Sequence, residues 1–108
     1  MKKWNVLASV AAALTIVASA AYAATHLVAQ KEKQFNVSTL KAKIGDSVSF
    51  RNDDNFFHNI FSLSSGHAFD LGSYGKGESR SVTLSKEGVI EVECAIHPQM
   101  KMTIEVTR

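Results

Sequence analysis

Met100 to Thr107 reads MKMTIEVT: Met100, Met102, Ile104 and Val106 are apolar, and Lys101, Thr103, Glu105 and Thr107 alternate with them. A period of two puts one set on each face of a half-buried strand and excludes an amphipathic helix, whose apolar stripe recurs every 3.6 residues. The same signature recurs upstream. In KAKIGDSVSF, residues 41–50, Ala42 and Ile44 share a side, and Val48 and Phe50 resume the pattern after the Gly45-Asp46 turn. QFNVSTL (34–40) is a short first run, and FFHNIFSL (56–63) is apolar enough for a buried strand. Arg80 to Leu84 forms another, and Ile90, Val92 and Cys94 share one face of the next. RNDDN (51–55) and SKEG (85–88) carry turn chemistry. The glycine-rich stretch 64–79 reads as a long crossing loop. Six or seven short strands without a downstream amphipathic helix or a repeat predict an all-β, antiparallel sandwich.

The chain opens MKKWNVLASVAAALTIVASAAYAATH. Lys2 and Lys3 precede an apolar run, and Ala21-Tyr22-Ala23 supplies the small-x-small pattern of a secretory cleavage site. Residues 1–23 are therefore expected to be a signal peptide, cut after Ala23, which makes the protein periplasmic or otherwise exported. The rival is a retained anchor: Val6 to Ala24 is 19 residues without a charge, about the length that spans a bilayer. Its alanine-rich composition inserts weakly and favours cleavage. Residues 24–33, ATHLVAQKEK, are polar or small and read as a flexible tether, leaving one domain over 34–108.

Cleavage also changes the charge balance. Removing Lys2 and Lys3 from 12 Lys+Arg leaves 10 against 10 Asp+Glu. No basic stripe remains, so nucleic acid is excluded as a partner. The single cysteine cannot form an internal disulfide. An unpaired thiol in a small exported domain calls for shelter or a metal.

That cysteine stands in CAIHPQM, Cys94 to Met100, where thiol, imidazole and thioether recur at three-residue steps. Cys94 ends one predicted strand and Met100 begins the next, so the tight loop between them can aim three donors at one point. His58, in FFHNIF, is the natural further ligand from a neighbouring strand. Two imidazoles, a thiolate and a weak axial thioether suit copper; zinc makes little use of a thioether.

C-x-x-H-x-x-M after an upstream His-Asn pair resembles the cupredoxins, the small blue copper proteins. The spacing and the proline after His97 are similar to the amicyanin type of ligand loop, whereas plastocyanin-like members have a longer His-to-Met spacing. IGDSVSFRNDD, ahead of the pair, is similar to a run common in the family. The resemblance covers roughly Phe35 to Val106. It implies a Greek-key sandwich with one type 1 copper ion at one end, ligated by His58, Cys94, His97 and Met100. It also implies that Asn59 braces the ligand loop, and that the protein is an electron carrier rather than an enzyme. Family members usually carry an aromatic residue two places before the cysteine; here that residue is Val92.

Met100 and Met102 both face inward by alternation, and the short loop favours Met100 as the axial ligand. Phe50, Phe56, Phe57, Phe61 and Phe69 are expected in the core, His67 is read as solvated, and His26 as without a role. The apolar loop residues Ala95, Ile96 and Pro98 around His97 form the expected electron exit surface, offered to transient redox protein partners by a monomer. A copper-delivery protein without an electron-transfer role is the alternative, and a zinc-stapled module a third. A Cys-His nucleophile would require an open cleft and an oxyanion site, which nothing in the sequence suggests.

Overall fold

The computed structural model describes residues 22–108, and these build nine strands. The expected signal segment therefore lies outside the described residues, apart from Tyr22 and Ala23. The strands are β1 (Thr25–Lys31), β2 (Gln34–Phe35), β3 (Thr39–Lys43), β4 (Ser47–Asn52), β5 (His58–Ser62), β6 (Phe69–Tyr74), β7 (Ser79–Thr83), β8 (Gly88–Glu93) and β9 (Lys101–Thr107). They form a four-stranded sheet, β2-β1-β4-β7, and a five-stranded sheet, β3-β9-β8-β5-β6.

Alternation places the core between the sheets. Val28, Val48 and Phe50 from the first sheet meet Ile60, Tyr74, Ile90, Val92, Met102, Ile104 and Val106 from the second. Burying a side chain of this size contributes roughly 1.5–3 kcal/mol. β3 and β4 are consecutive yet lie in different sheets, so the chain crosses the sandwich at a sharp corner. Gly45, with φ of 93°, supplies the left-handed backbone that corner requires.

Several expectations are corrected. The segment read as a tether contains β1, a central strand of the first sheet. Its pattern was hidden because few of its side chains that point inward are large and apolar: Val28 is buried, but its buried neighbour on the same face is Gln30. The sandwich is also not wholly antiparallel, since β1 runs parallel to β4 and β3 parallel to β9. The stretch read as a crossing loop contains β6, which pairs with β5. The strand expected from residue 56 begins only at His58, which leaves Phe56 and Phe57 exposed and outside the core. His67 is half-buried with its ring against Gly88, where a missing Cβ makes room.

His26 does have a role. Its Nε2 lies 2.9 Å from Asp46 Oδ2, which also accepts the Lys43 amide, while Asp46 Oδ1 accepts the Ala24 amide. The His26 hydrogen bond first, then the Lys43 and Ala24 amides, lower the Asp46 carboxyl from 3.8 to about 2. A depressed carboxyl contributes stability above its unfolded pKa and loses it as pH falls through the folded one. Thermal melts of the metal-free protein should therefore show an acid loss of stability between pH 3.8 and about 2 that is flattened in Asp46→Asn. Parallel acid limbs in the two proteins would show that the carboxylate does not bind the strand's end.

Candidate metal centre

β5 runs antiparallel to β8, with Phe61 opposite Glu93. The start of β5 therefore lies beside the end of β8, and residues 58 and 94 meet although 36 positions separate them. His58 and Cys94 both point inward, at 0% and 1% exposure. The loop from Cys94 to Met100 closes on itself: the Met100 amide donates to the His97 carbonyl at 2.9 Å, and the Cys94 amide donates to the Met100 carbonyl. That closure returns His97 over the cysteine.

The three donor atoms form a small triangle. Cys94 Sγ lies 3.7 Å from His58 Nδ1 and 4.0 Å from His97 Nδ1, and the two Nδ1 atoms are 3.2 Å apart. An ion bonded to nitrogen at about 2.0 Å and to sulfur at about 2.3 Å, in a trigonal array, sets edges of about 3.5–3.7 Å. The residues fit such an ion. Met100 is buried at the base of the same loop, and Met102 lies two residues along in the core.

Asp54 fixes which histidine nitrogen faces the triangle. Its Oδ2 lies 2.7 Å from His58 Nε2, and both side chains are buried. An ionised carboxylate only accepts, so Nε2 carries the proton and Nδ1 keeps its lone pair for a metal. Burial raises the Asp54 carboxyl, but hydrogen bonds from His58 and from the Glu32 and Lys33 amides outweigh it and leave the pKa below its ordinary value. Those two amides belong to the β1–β2 turn, where Glu32 and Lys33 have φ of 54° and 58°. Two non-glycine residues in this left-handed region cost about 1–2 kcal/mol each, which the carboxylate helps to offset.

Asn59 Oδ1 accepts the Ala95 amide at 2.7 Å and so ties the ligand loop to β5. Ala95, Ile96 and Pro98 are exposed around the half-buried His97. Burial, then the nearby His58 and Lys33, lower the His97 pKa, which keeps its imidazole neutral and able to bind a metal. Phe56 meets both imidazoles, with ring centroids 5.2 Å from His58 and 5.1 Å from His97, and Lys33 Nζ lies 5.7 Å from its centroid. Sequence reasoning missed Asp54 and this position of Phe56. Asp54 stands four residues before His58, yet RNDDN read as a polar turn.

The family model for copper binding proteins of the plastocyanin/azurin family matches residues 22–107. The chain belongs to this family. It is a cupredoxin with copper as its cofactor. Its sequence is 32% identical over 68 residues to the methylamine utilization protein MauL of Methylorubrum extorquens, covering 62% of this chain and 60% of MauL. The chain thus spans less than two thirds of that relative. In structure it is similar to a copper-containing nitrite reductase from Thermus scotoductus SA-01, with a TM-score of 0.72 and 26% identity over 78% of this chain, but only 22% of that one. A reduced Cu(I) form of an amicyanin variant at pH 4 shares the fold, with a TM-score of 0.71 and 22% identity over 76% of this chain and 81% of that one. The cupredoxin fold expected from the ligand loop is thereby established.

Proposed function

We propose that this cupredoxin is exported, loses residues 1–23, and carries single electrons between protein partners, with His58, Cys94, His97 and Met100 as its copper ligands. The observation that carries the proposal is the triangle of two imidazole nitrogens and a cysteine sulfur at one end of the sandwich. Copper bound there supplies a one-electron Cu(I)/Cu(II) couple. The chain's part is to hold the donors still: Asp54 fixes the His58 ring, Asn59 holds the Ala95 amide, and the closed loop seats His97. A site so held rearranges little on redox change, which favours rapid transfer.

The exit for the electron is the partly exposed His97 edge, flanked by Ala95, Ile96 and Pro98. Exposed Ile96 makes the surroundings of that edge apolar, and Phe56 stands against the ring. Such contacts are small and short-lived in electron-transfer pairs. The protein acts as a monomer with transient partners. Burial of Cys94 and His58 disfavours rapid metal handover, so the carrier is favoured over copper delivery.

The test is a visible spectrum with copper quantification, followed by repeated oxidation and reduction. The carrier should show an intense thiolate-to-copper band and keep its metal through the cycles. A colourless, copper-saturated protein, or release of copper to an acceptor on reduction, would refute it. Met100→Gln should lower the reduction potential by offering bound copper a stronger donor than the thioether, whereas Met102→Gln should perturb stability more than potential. A potential that moves only with Met102 would transfer the axial role to that residue.

A further inference from the structure

The start of β1 holds a second set of metal-binding groups, about 20 Å of strand away from the turn that Asp54 grips. Cleavage after Ala23 leaves a chain beginning Ala24-Thr25-His26. A free amine followed by histidine in the third position is a chelating sequence: amine, two backbone nitrogens and imidazole close three fused rings around a square-planar ion. An all-nitrogen square plane selects Cu(II) or Ni(II). We propose that the amine of Ala24, the amide nitrogens of Thr25 and His26, and Nδ1 of His26 form a second site for Cu(II) or Ni(II), separate from the cupredoxin centre. This site depends on the export and cleavage proposed above, and does not depend on electron transfer.

Three features of the fold bear on it. The Ala24 nitrogen and the His26 ring already converge on one carboxylate, each 2.9 Å from an oxygen of Asp46. The ring meets Asp46 through Nε2, which leaves Nδ1, the nitrogen that closes the last chelate ring, turned to another direction. An ion bound at Nδ1 leaves the Nε2 proton for Asp46.

The segment that must move is also inexpensive to move. Chelation draws Ala24, Thr25 and His26 out of their ladder with β4, breaking the 2.9 Å bond from the Ser47 amide to the Ala24 carbonyl. Ala24, Thr25 and Leu27 are exposed, and the first core side chain of β1 is Val28 at 1% exposure. Releasing three residues therefore uncovers no core. Among the described residues their other edge has no strand partner, because β2 pairs only with Gln30 and Lys31. Asp46 acts as the clasp that holds this end of the strand when no ion is bound.

Binding involves no redox change. The ion displaces one proton from the Ala24 ammonium and one from each of the Thr25 and His26 amides, and these pass to the buffer. Site formation is thus a proton-releasing step that can be followed directly.

The experiment starts with the exported, copper-loaded protein, whose N-terminus is read by mass spectrometry, and titrates it with Ni(II) alone. A chain beginning at Ala24 should bind one equivalent of diamagnetic, square-planar Ni(II), release protons, and leave the visible band of the cupredoxin centre unchanged. His26→Ala should bind none. A chain with one glycine inserted before Ala24 keeps every side chain but moves the histidine to the fourth position, and it too should bind none. Ni(II) uptake that persists in either variant would overturn the site, as would a chain beginning at Ala24 that takes up no Ni(II). An exported chain that begins elsewhere overturns the site together with the cleavage. A copper-loaded protein that shows no visible band before titration, yet binds Ni(II) in this way, would count against the electron carrier and leave this site standing.

Discussion

Cys94→Ser should abolish the visible thiolate-to-copper band and leave a folded, colourless domain. The sulfur sits at 1% exposure, 3.7 Å and 4.0 Å from the two Nδ1 atoms. Serine nearly preserves the shape but replaces a soft, ionisable donor with a hydroxyl that stays protonated at neutral pH and binds Cu(I) poorly. Copper affinity should fall by more than the roughly 10–100-fold that loss of an outer partner typically costs. Stability of the metal-free form should change by only about 1 kcal/mol, the scale of a small buried deletion, because His58 and His97 can hydrogen-bond the hydroxyl. Absorption, copper titration and a thermal melt check the three parts. A band that survives the substitution would remove Cys94 from the ligand set.

The second large effect is expected at a residue that touches no metal. Asp54→Ala leaves the His58 Nε2 proton buried without an acceptor and frees the Glu32 and Lys33 amides from theirs. An unsatisfied buried donor costs roughly 1–3 kcal/mol, so the metal-free domain should lose on the order of 3 kcal/mol once the turn amides are included. Copper affinity should drop about 10–100-fold, because nothing then fixes the His58 ring. Asp54→Asn separates charge from geometry. It keeps an oxygen facing Nε2 but removes a negative charge that favours Cu(II), so its reduction potential should rise while the visible band remains. Unchanged affinity in the alanine variant would show that β5 alone orients His58.

These two residues mark what the sequence revealed and what it concealed. The convergence of Cys94 and His97 was legible because a tight loop keeps neighbours in sequence close in space, and that of His58 because its place before Asn59 matched a family pattern. The second sheet was legible in β8 and β9, where large apolar residues alternate cleanly with polar ones. β1 was not, since its inward side includes Gln30, and its turn, Glu32-Lys33, lacks the glycine or asparagine that usually announces left-handed backbone. Asp54 was hidden for a related reason. Its partners come from a turn 21 and 22 residues upstream as well as from His58, so local composition gives no sign of its burial. Phe56 and Phe57 show the converse error: the backbone leaves both outside the core, Phe56 against the two imidazoles of the site and Phe57 against Gly75.

One carboxylate grips both the first hairpin and an imidazole of the copper centre, which makes the front of the chain part of the tuning of the metal. A shortened protein beginning at Gln34 would retain all four candidate ligands, yet it would lack the amides that hold Asp54 and the strand that lies between β2 and β4. Domain boundaries drawn from the ligand motif alone would therefore yield a protein with a loosened His58, because the turn that anchors Asp54 lies upstream of them.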